Sequence, residues 1–195
     1  MHTHKTVMVA LTVSFLVIQV FVMIGLAGKG YPGFMRATAM TTGLMVLYTV
    51  AEYKWKLYMN NYIRAAVLIA LIADSVGGQY LEYYITSTVF DKVLHVFGAY
   101  ALSLFCYILM SQLLTKKVGK AFTFFWVLAL GISIGALYEI MEFTMDTLTK
   151  PTLPGQPSLY DTDMDLISDS IGAAVAACQA AFSRIGRGIE NYRIR

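Results

Sequence analysis

Charged residues are scarce in this chain of 195 residues, since Asp, Glu, Lys and Arg together make up 14% of it. A soluble domain carries about 25% charged residues, so the charges here are too few to cover a water-facing surface. Apolar residues make up 57% of the chain and come in long runs. This composition excludes a soluble globular enzyme, a disordered chain and a nucleic-acid-binding protein. We predict an integral membrane protein.

Cysteine and proline are also rare. The two cysteines, Cys106 and Cys178, lie in apolar runs and have no second cysteine or histidine at metal-binding spacing. Neither a disulfide framework nor a zinc ribbon is therefore indicated. Three of the four prolines fall within residues 151–157, and this concentration predicts a loop there.

The apolar runs are long enough for membrane helices, which need about 20 residues each. We predict an all-α fold, a six-helix transmembrane bundle that forms one integral membrane domain over residues 1–195. The spans are expected near residues 7–27, 37–53, 62–84, 91–114, 121–145 and 164–182.

Basic residues divide unevenly between the two sides of such a bundle. An even number of spans puts both termini on one side, which holds eleven basic residues: Lys5, Lys54, Lys56, Arg64, Lys116, Lys117, Lys120, Arg184, Arg187, Arg193 and Arg195. The other side holds four: Lys29, Arg36, Lys92 and Lys150. Because cytoplasmic loops carry an excess of Lys and Arg, both termini are predicted to be cytoplasmic.

Ionisable residues concentrate near the outer ends of the last three predicted spans. They are Asp91 and His95 in the fourth span, Glu139 and Glu142 in the fifth, and Asp161, Asp165 and Asp169 at the start of the sixth. Spacings of three and four residues place the members of each set on one helix face, which for Asp161 requires that the sixth helix begin before residue 164. Small residues continue along these faces at Gly98, at Gly131 and Gly135, and at Gly172 and Ala173. Small residues allow membrane helices to approach closely, so we expect these faces to pack together.

Several carboxylates in a membrane interior need protons or a cation to compensate their charge. We expect a divalent metal, Zn, Mn, Mg or Fe, because Asp, Glu and His supply the oxygen and nitrogen ligands of these ions. The predicted ligands are Asp91, His95, Glu139, Asp161 and Asp165, and Glu142 and Asp169 are candidate catalytic bases. Taken singly, His95 is better explained as a hydrogen-bonded structural histidine. Glu139 or Asp165 alone is as well explained by interhelical hydrogen bonding or by an interfacial position.

Three sequence blocks in order resemble those of a known family. They are Asp91-Lys92-Val93-Leu94-His95 with Gly98, Tyr138-Glu139-Ile140-Met141-Glu142-Phe143, and Tyr160-Asp161-Thr162 through Asp165 to Gly172-Ala173. This pattern resembles the YjdF-like family and, more distantly, the VanZ-like proteins, which share the D-K-x-x-H element. Phe143 replaces the usual Trp. The resemblance covers less than half of the chain and implies a multi-pass protein of the bacterial cytoplasmic (inner) membrane, without implying an activity.

Two classes of function are consistent with the cluster, besides a sensor or partner-binding protein in which the acids are only structural. The first is a metal-dependent enzyme that acts on a lipid or lipid-linked headgroup at the outer leaflet, with membrane lipids as its partners. The second is a proton- or cation-coupled transporter or channel, because acids inside membranes mark such pathways.

Overall fold

A computed structural model of the chain describes residues 2–114, 118–151, 153–183 and 185. Regular secondary structure within these residues is helical. The helices are α1 (His2–Lys29), α2 (Pro32–Trp55), α3 (Asn61–Ile72), α4 (Tyr83–Thr86), α5 (Phe90–Ser111), α6 (Lys120–Thr149) and α7 (Leu159–Phe182). Helix α3 continues directly into a π-helix, Ala73–Tyr80. The predicted all-α class is confirmed.

Four of the described helices are long and apolar enough to cross a membrane. They are Lys5–Lys29, Asn61–Tyr80, Phe90–Ser111 and Lys120–Thr149. Helices α2 and α7, with 24 residues each, fall within the length range of these spans but are more polar. Helix α2 carries several threonines, and α7 begins with a series of aspartates. The structure thus supports a membrane protein with several spanning helices.

The third span ends earlier than predicted. The expected segment reached residue 84, whereas the helix formed by α3 and the π-helix ends at Tyr80. Glu82 adopts a left-handed conformation with φ 63°, which ends the helix and starts α4. The Lys29 ammonium lies 2.8 Å from both the Tyr80 carbonyl and the Glu82 carboxylate, so it stabilises this break.

The first compact unit, Met1–Phe90, contains α1 to α4. Phe15, Met45 and Leu68 form its apolar core. Arg64 is fully buried and forms an ion pair with Glu52, which is 4% exposed. Arg64 therefore connects α3 to α2 through a buried ion pair. The tally of basic residues placed Arg64 on the side of the termini, and that placement stays a prediction.

The π-helix of this unit carries a second set of hydrogen-bonded polar side chains, besides the Arg64–Glu52 pair. The Asp74 carboxylate accepts hydrogen bonds from the Tyr84 hydroxyl at 2.5 Å and from the Gln79 amide at 2.8 Å. Gln79 in turn accepts a hydrogen bond from Thr38 on α2, at 2.7 Å. Wide helical turns of this kind occur frequently at functional positions, and here the turn places both Asp74 and Gln79 in one hydrogen-bonded chain.

The second compact unit, Asp91–Arg195, contains the remainder of α5 together with α6 and α7. The three helices approach closely at small residues. A side chain built on Gly131 of α6 would collide with Ser103 of α5 and Ala173 of α7, and one built on Gly172 would collide with the Val96 carbonyl. The small-residue faces therefore pack as their spacing predicts, except at Gly98, where an added Cβ would meet nothing within 4 Å.

Candidate functional site

Ionisable side chains from α5, α6 and α7 meet near the N-terminal ends of α5 and α7. Asp91 and His95 lie one turn apart on α5. The Ser158 side chain accepts a hydrogen bond from the Asp161 amide and caps α7. This cap starts α7 at Leu159, five residues before the predicted span, and so brings Asp161 onto the same helix as Asp165 and Asp169.

Lys92 connects three carboxylates of the site. Its ammonium donates hydrogen bonds to Asp91 at 3.0 Å, to Asp161 at 2.5 Å and to Asp165 at 2.8 Å. An ammonium has three donors, and all three are used here. One lysine thus compensates part of the negative charge of three aspartates and links α5 to α7.

His95 lies at the centre of the cluster, and its side chain is 9% exposed. Nδ1 is 3.2 Å from Oδ1 of Asp169, which is hydrogen-bonding distance. Nε2 is 3.6 Å from Asp91 Oδ1 and 3.7 Å from Asp165 Oδ1. The ring also contacts Tyr138 edge to face, with 5.6 Å between centroids. These contacts fix the imidazole between carboxylates on two helices.

Glu139 is buried on α6 and is held by the connection between α6 and α7. The Gln156 amide donates to the Glu139 carbonyl at 2.8 Å and to Glu139 Oε2 at 2.7 Å. The Asp146 carboxylate accepts hydrogen bonds from the backbone amides of Gly155 and Gln156, at 3.0 Å and 2.9 Å. Asp146 therefore positions the segment that orients Glu139.

The cluster contains two overlapping groups that share His95. One is Asp91, His95 and Asp165, the other is His95, Glu139 and Asp169, and in each group one potential ligand atom from every residue lies within 4.8 Å of the others. The two groups differ in charge compensation. Three buried oxygens of the cluster have no hydrogen-bond partner among the described residues: Asp165 Oδ1, Glu139 Oε1 and Asp169 Oδ2. Lys92 forms ion pairs with Asp91 and with Asp165 Oδ1 in the first group, whereas no Lys or Arg of the described residues forms an ion pair with Glu139 or Asp169 in the second.

The structure therefore brings together five of the seven predicted site residues in these groups. The other two lie at the edge: Asp161 contacts the cluster through Lys92, and Glu142 is half-buried on α6 under the α6–α7 connection. A Cβ on Gly155 would lie 3.2 Å from Glu142 Cδ, so the connection packs closely over this carboxylate. Asp163, between Asp161 and Asp165 in the sequence, is exposed.

A family model described as "Predicted membrane protein (DUF2238)" matches residues 8–185 of the chain. The protein belongs to the DUF2238 family. This family corresponds to the YjdF-like proteins that the three sequence blocks resemble, whereas the more distant resemblance to VanZ-like proteins stays a prediction. The match includes every helix of the candidate site.

A relative from Thermotoga maritima, described as an uncharacterized protein, is 35% identical to the chain over 127 residues. The aligned region covers 60% of the chain and 61% of the relative, so the chain spans about three fifths of that protein's length. No solved structure matches the chain.

Two residues of this DUF2238 protein contribute to the site although sequence reasoning gave them no role. Lys92 follows Asp91 directly and lies within the D-K-x-x-H block, so its position in a shared element was a usable signal. Gln156 lies in the proline-rich connection, and no spacing rule relates it to Glu139, which is 17 residues away. Only the folded connection reveals that contact.

Proposed function

We propose that His95, Glu139 and Asp169 bind a divalent metal ion in the membrane region of this protein. The observation that carries the proposal is the pair of buried, unpartnered oxygens, Glu139 Oε1 and Asp169 Oδ2, that accompany a single imidazole. A buried carboxylate oxygen without a partner carries a large desolvation cost. A cation among these atoms removes that cost.

The donor set fits Zn, Mn, Mg or Fe, because it combines one imidazole with two carboxylates. We propose a narrower ligand set than the sequence predicts. Lys92 already provides a positive charge to Asp91, Asp161 and Asp165, and a metal ion beside that ammonium would be repelled. The sequence suggested Asp169 as a catalytic base. We assign it as a ligand instead, because its carboxylate lies close to both His95 and Glu139.

The reaction that we propose is metal-dependent cleavage or transfer at a lipid or lipid-linked headgroup. A bound metal would activate water and polarise a phosphoryl or acyl oxygen. Glu142 lies one turn beyond Glu139 on α6 and is half-buried, so it is the general base that we propose. Gln156 holds one Glu139 oxygen and leaves the other free to bind. Lys92 and its three aspartates keep α5 and α7 aligned.

For the membrane arrangement, we propose six spans, with α2 and α7 added to the four most apolar helices and both compact units in one domain. The basic residues favour cytoplasmic termini in the bacterial inner membrane. In this arrangement the N-terminal ends of α5 and α7 and the connection after α6 face outward, and the cluster is near the outer leaflet. A lipid headgroup can then reach it from the adjacent leaflet.

Transport of a proton or cation through the same acids is a weaker alternative. A transport path has to continue from the cluster towards the opposite ends of the helices. Below the cluster, Gly131 packs against Ser103 and Ala173, and Gly172 packs against the backbone of α5. This close contact among α5, α6 and α7 favours a site that is closed on one side, as an enzyme requires.

Elemental analysis of the purified protein tests the metal site directly. After incubation with Zn²⁺, Mn²⁺, Mg²⁺ or Fe²⁺ and removal of free ions, we expect one ion per chain for at least one metal. Asp169→Asn should lose that ion, and Asp163→Asn, an exposed position on the same helix, should retain it. Failure of every metal to bind stoichiometrically to the wild type would contradict the proposal, as would equal loss in both variants.

A further inference from the structure

A cavity of about 410 Å³ lies beside the outer part of α6, next to the cluster. Phe143, Asp146, Thr147 and Lys150 of the α6 region line it together with Pro154 and Gln156 of the α6–α7 connection. Its volume is in the range of small-molecule sites, about 300–1,000 Å³. The cavity is open to the surroundings, and its lining combines an aromatic ring, a proline and two opposite charges.

Gln156 connects this cavity to the proposed metal ligands. Gln156 lines the cavity, and its side-chain amide donates to Glu139 Oε2 at 2.7 Å. A molecule in the cavity that contacts Gln156 would therefore be separated from the Glu139 carboxylate by this one residue. Among the described residues, no other residue that lines the cavity donates a side-chain hydrogen bond to a predicted ligand. The cavity is thus placed where a substrate of the proposed site would bind.

The charges in the cavity are not paired with each other. Asp146 contacts the backbone amides of Gly155 and Gln156. No hydrogen bond or ion pair of the Lys150 ammonium is found within the part of the chain that the structure describes. Lys150 is the C-cap residue that directly follows α6. The carbonyl groups at a helix C-terminus favour a positively charged group nearby. The Asp146 carboxylate thus favours a cation in the cavity, and the Lys150 ammonium favours an anion.

We propose that this cavity binds the headgroup of a zwitterionic phospholipid, an ammonium group near Asp146 and a phosphate at Lys150. Phe143 is 61% exposed and, with Pro154, offers an apolar surface to the glycerol and acyl part. The inference rests on the proposed function, for which it names the substrate class. In this proposal the headgroup lies beside Gln156, the residue that also contacts the Glu139 carboxylate.

The test is binding of phosphatidylethanolamine and of phosphatidylglycerol with identical acyl chains to the detergent-solubilised protein, kept in chelator so that no metal contributes. Native mass spectrometry gives an apparent Kd for each lipid. Phosphatidylethanolamine should bind more tightly than phosphatidylglycerol. Lys150→Gln should weaken its binding by at least about tenfold, because a charge-assisted hydrogen bond to phosphate is lost, and Lys150→Arg should retain most of it.

Two further variants sharpen the result. Asp146→Asn removes the negative charge, so the preference should shift towards phosphatidylglycerol. Lys120→Gln is the matched control, because Lys120 begins α6 at its opposite end and contacts the Phe182 ring. It should leave both affinities unchanged. Equal affinity of the wild type for the two lipids, or an unchanged Kd in Lys150→Gln, would overturn the headgroup site.

The outcome can be separated from that of the proposed function. Metal stoichiometry in the wild type does not depend on the lipid, and lipid binding is measured without metal. Loss of lipid selectivity with intact metal binding would reject only the headgroup proposal. Selective lipid binding without metal binding would reject the metal-dependent reaction and leave a lipid-binding protein.

Discussion

Gly135 of α6 lies directly against the side chain of Asp169 on α7. A Cβ built on Gly135 would be 2.7 Å from both Cβ and Cγ of Asp169, and still closer to Oδ2. No real Cβ tolerates such contacts without movement of its neighbours. The absence of a side chain at residue 135 therefore allows the Asp169 carboxylate to lie between α6 and α7, near His95 and Glu139.

Gly135→Ala should destabilise the protein by about 1–3 kcal/mol, the usual cost of overpacking a close contact. Gly98→Ala on α5 is the matched control, since an added Cβ there meets nothing within 4 Å. It should be neutral or stabilising by up to about 1 kcal/mol, because Ala favours helix over Gly. Thermal or denaturant unfolding in detergent measures both, and equal destabilisation by the two variants would contradict the packing described.

Removal of the Lys92 charge should allow the first group, Asp91, His95 and Asp165, to bind a metal ion. Lys92→Met leaves Asp91, Asp161 and Asp165 without their ammonium. In chelator we expect a loss of about 1.5–3 kcal/mol, the value of a hydrogen bond to a charged group. Added Mn²⁺ should restore stability and raise the bound metal by one ion per chain.

Lys92→Arg keeps a positive charge and should bind no additional ion. A Lys92→Met protein as stable as the wild type in chelator, with unchanged metal content, would show that this lysine does not compensate the three aspartates.

The ion pair of the first unit gives a prediction that is independent of the site. Arg64→Met should destabilise the protein by about 3–5 kcal/mol, because it leaves the buried Glu52 carboxylate without its partner. The double variant Arg64→Met/Glu52→Leu should recover most of this loss, since two apolar side chains replace both charges. The free energies of unfolding of the wild type, the single variant and the double variant test both expectations. A double variant less stable than the single one would mean that the charges are required for the fold.

The membrane orientation can be tested at the connection after α6. A cysteine replacing the exposed Leu153, in a protein whose Cys106 and Cys178 are changed to alanine, should react with a membrane-impermeant maleimide added to intact spheroplasts. A cysteine replacing Lys5, near the N-terminus, should react only after the membrane is opened. The reverse pattern would place the cluster at the cytoplasmic leaflet.

Long apolar runs predicted the long helices well, but not where they end. The start of α7 depends on the Ser158 cap, and its first turns are too polar to register as a membrane span. The end of the third span depends on the left-handed conformation of Glu82, which is a local backbone choice without a hydropathy signal.

The sequence intervals between ionisable residues predicted part of the site. Intervals of three and four residues predicted which acids share a helix face, and the structure brings five of the seven predicted residues together. The glycines indicated where α6 and α7 approach. Which carboxylates adjoin Lys92 and which adjoin His95 depends on the rotation and relative shift of three helices, and sequence spacing does not define these. Likewise, the burial of Arg64 could not be predicted from the sequence, because its partner Glu52 lies on another helix.

The sign of one substitution, Glu139→Gln, tests the central claim most directly. With metal present, the loss of a ligand should destabilise the protein and abolish the stabilisation of about 2.7 kcal/mol that a metal at 100 times its Kd provides. With chelator, the same change should stabilise the protein, because it relieves repulsion between buried carboxylates. Melting temperatures of wild type and variant, each with EDTA and with Zn²⁺ or Mn²⁺, give the four values required. A wild type whose melting is unchanged by chelator and by every divalent ion would contradict the metal site.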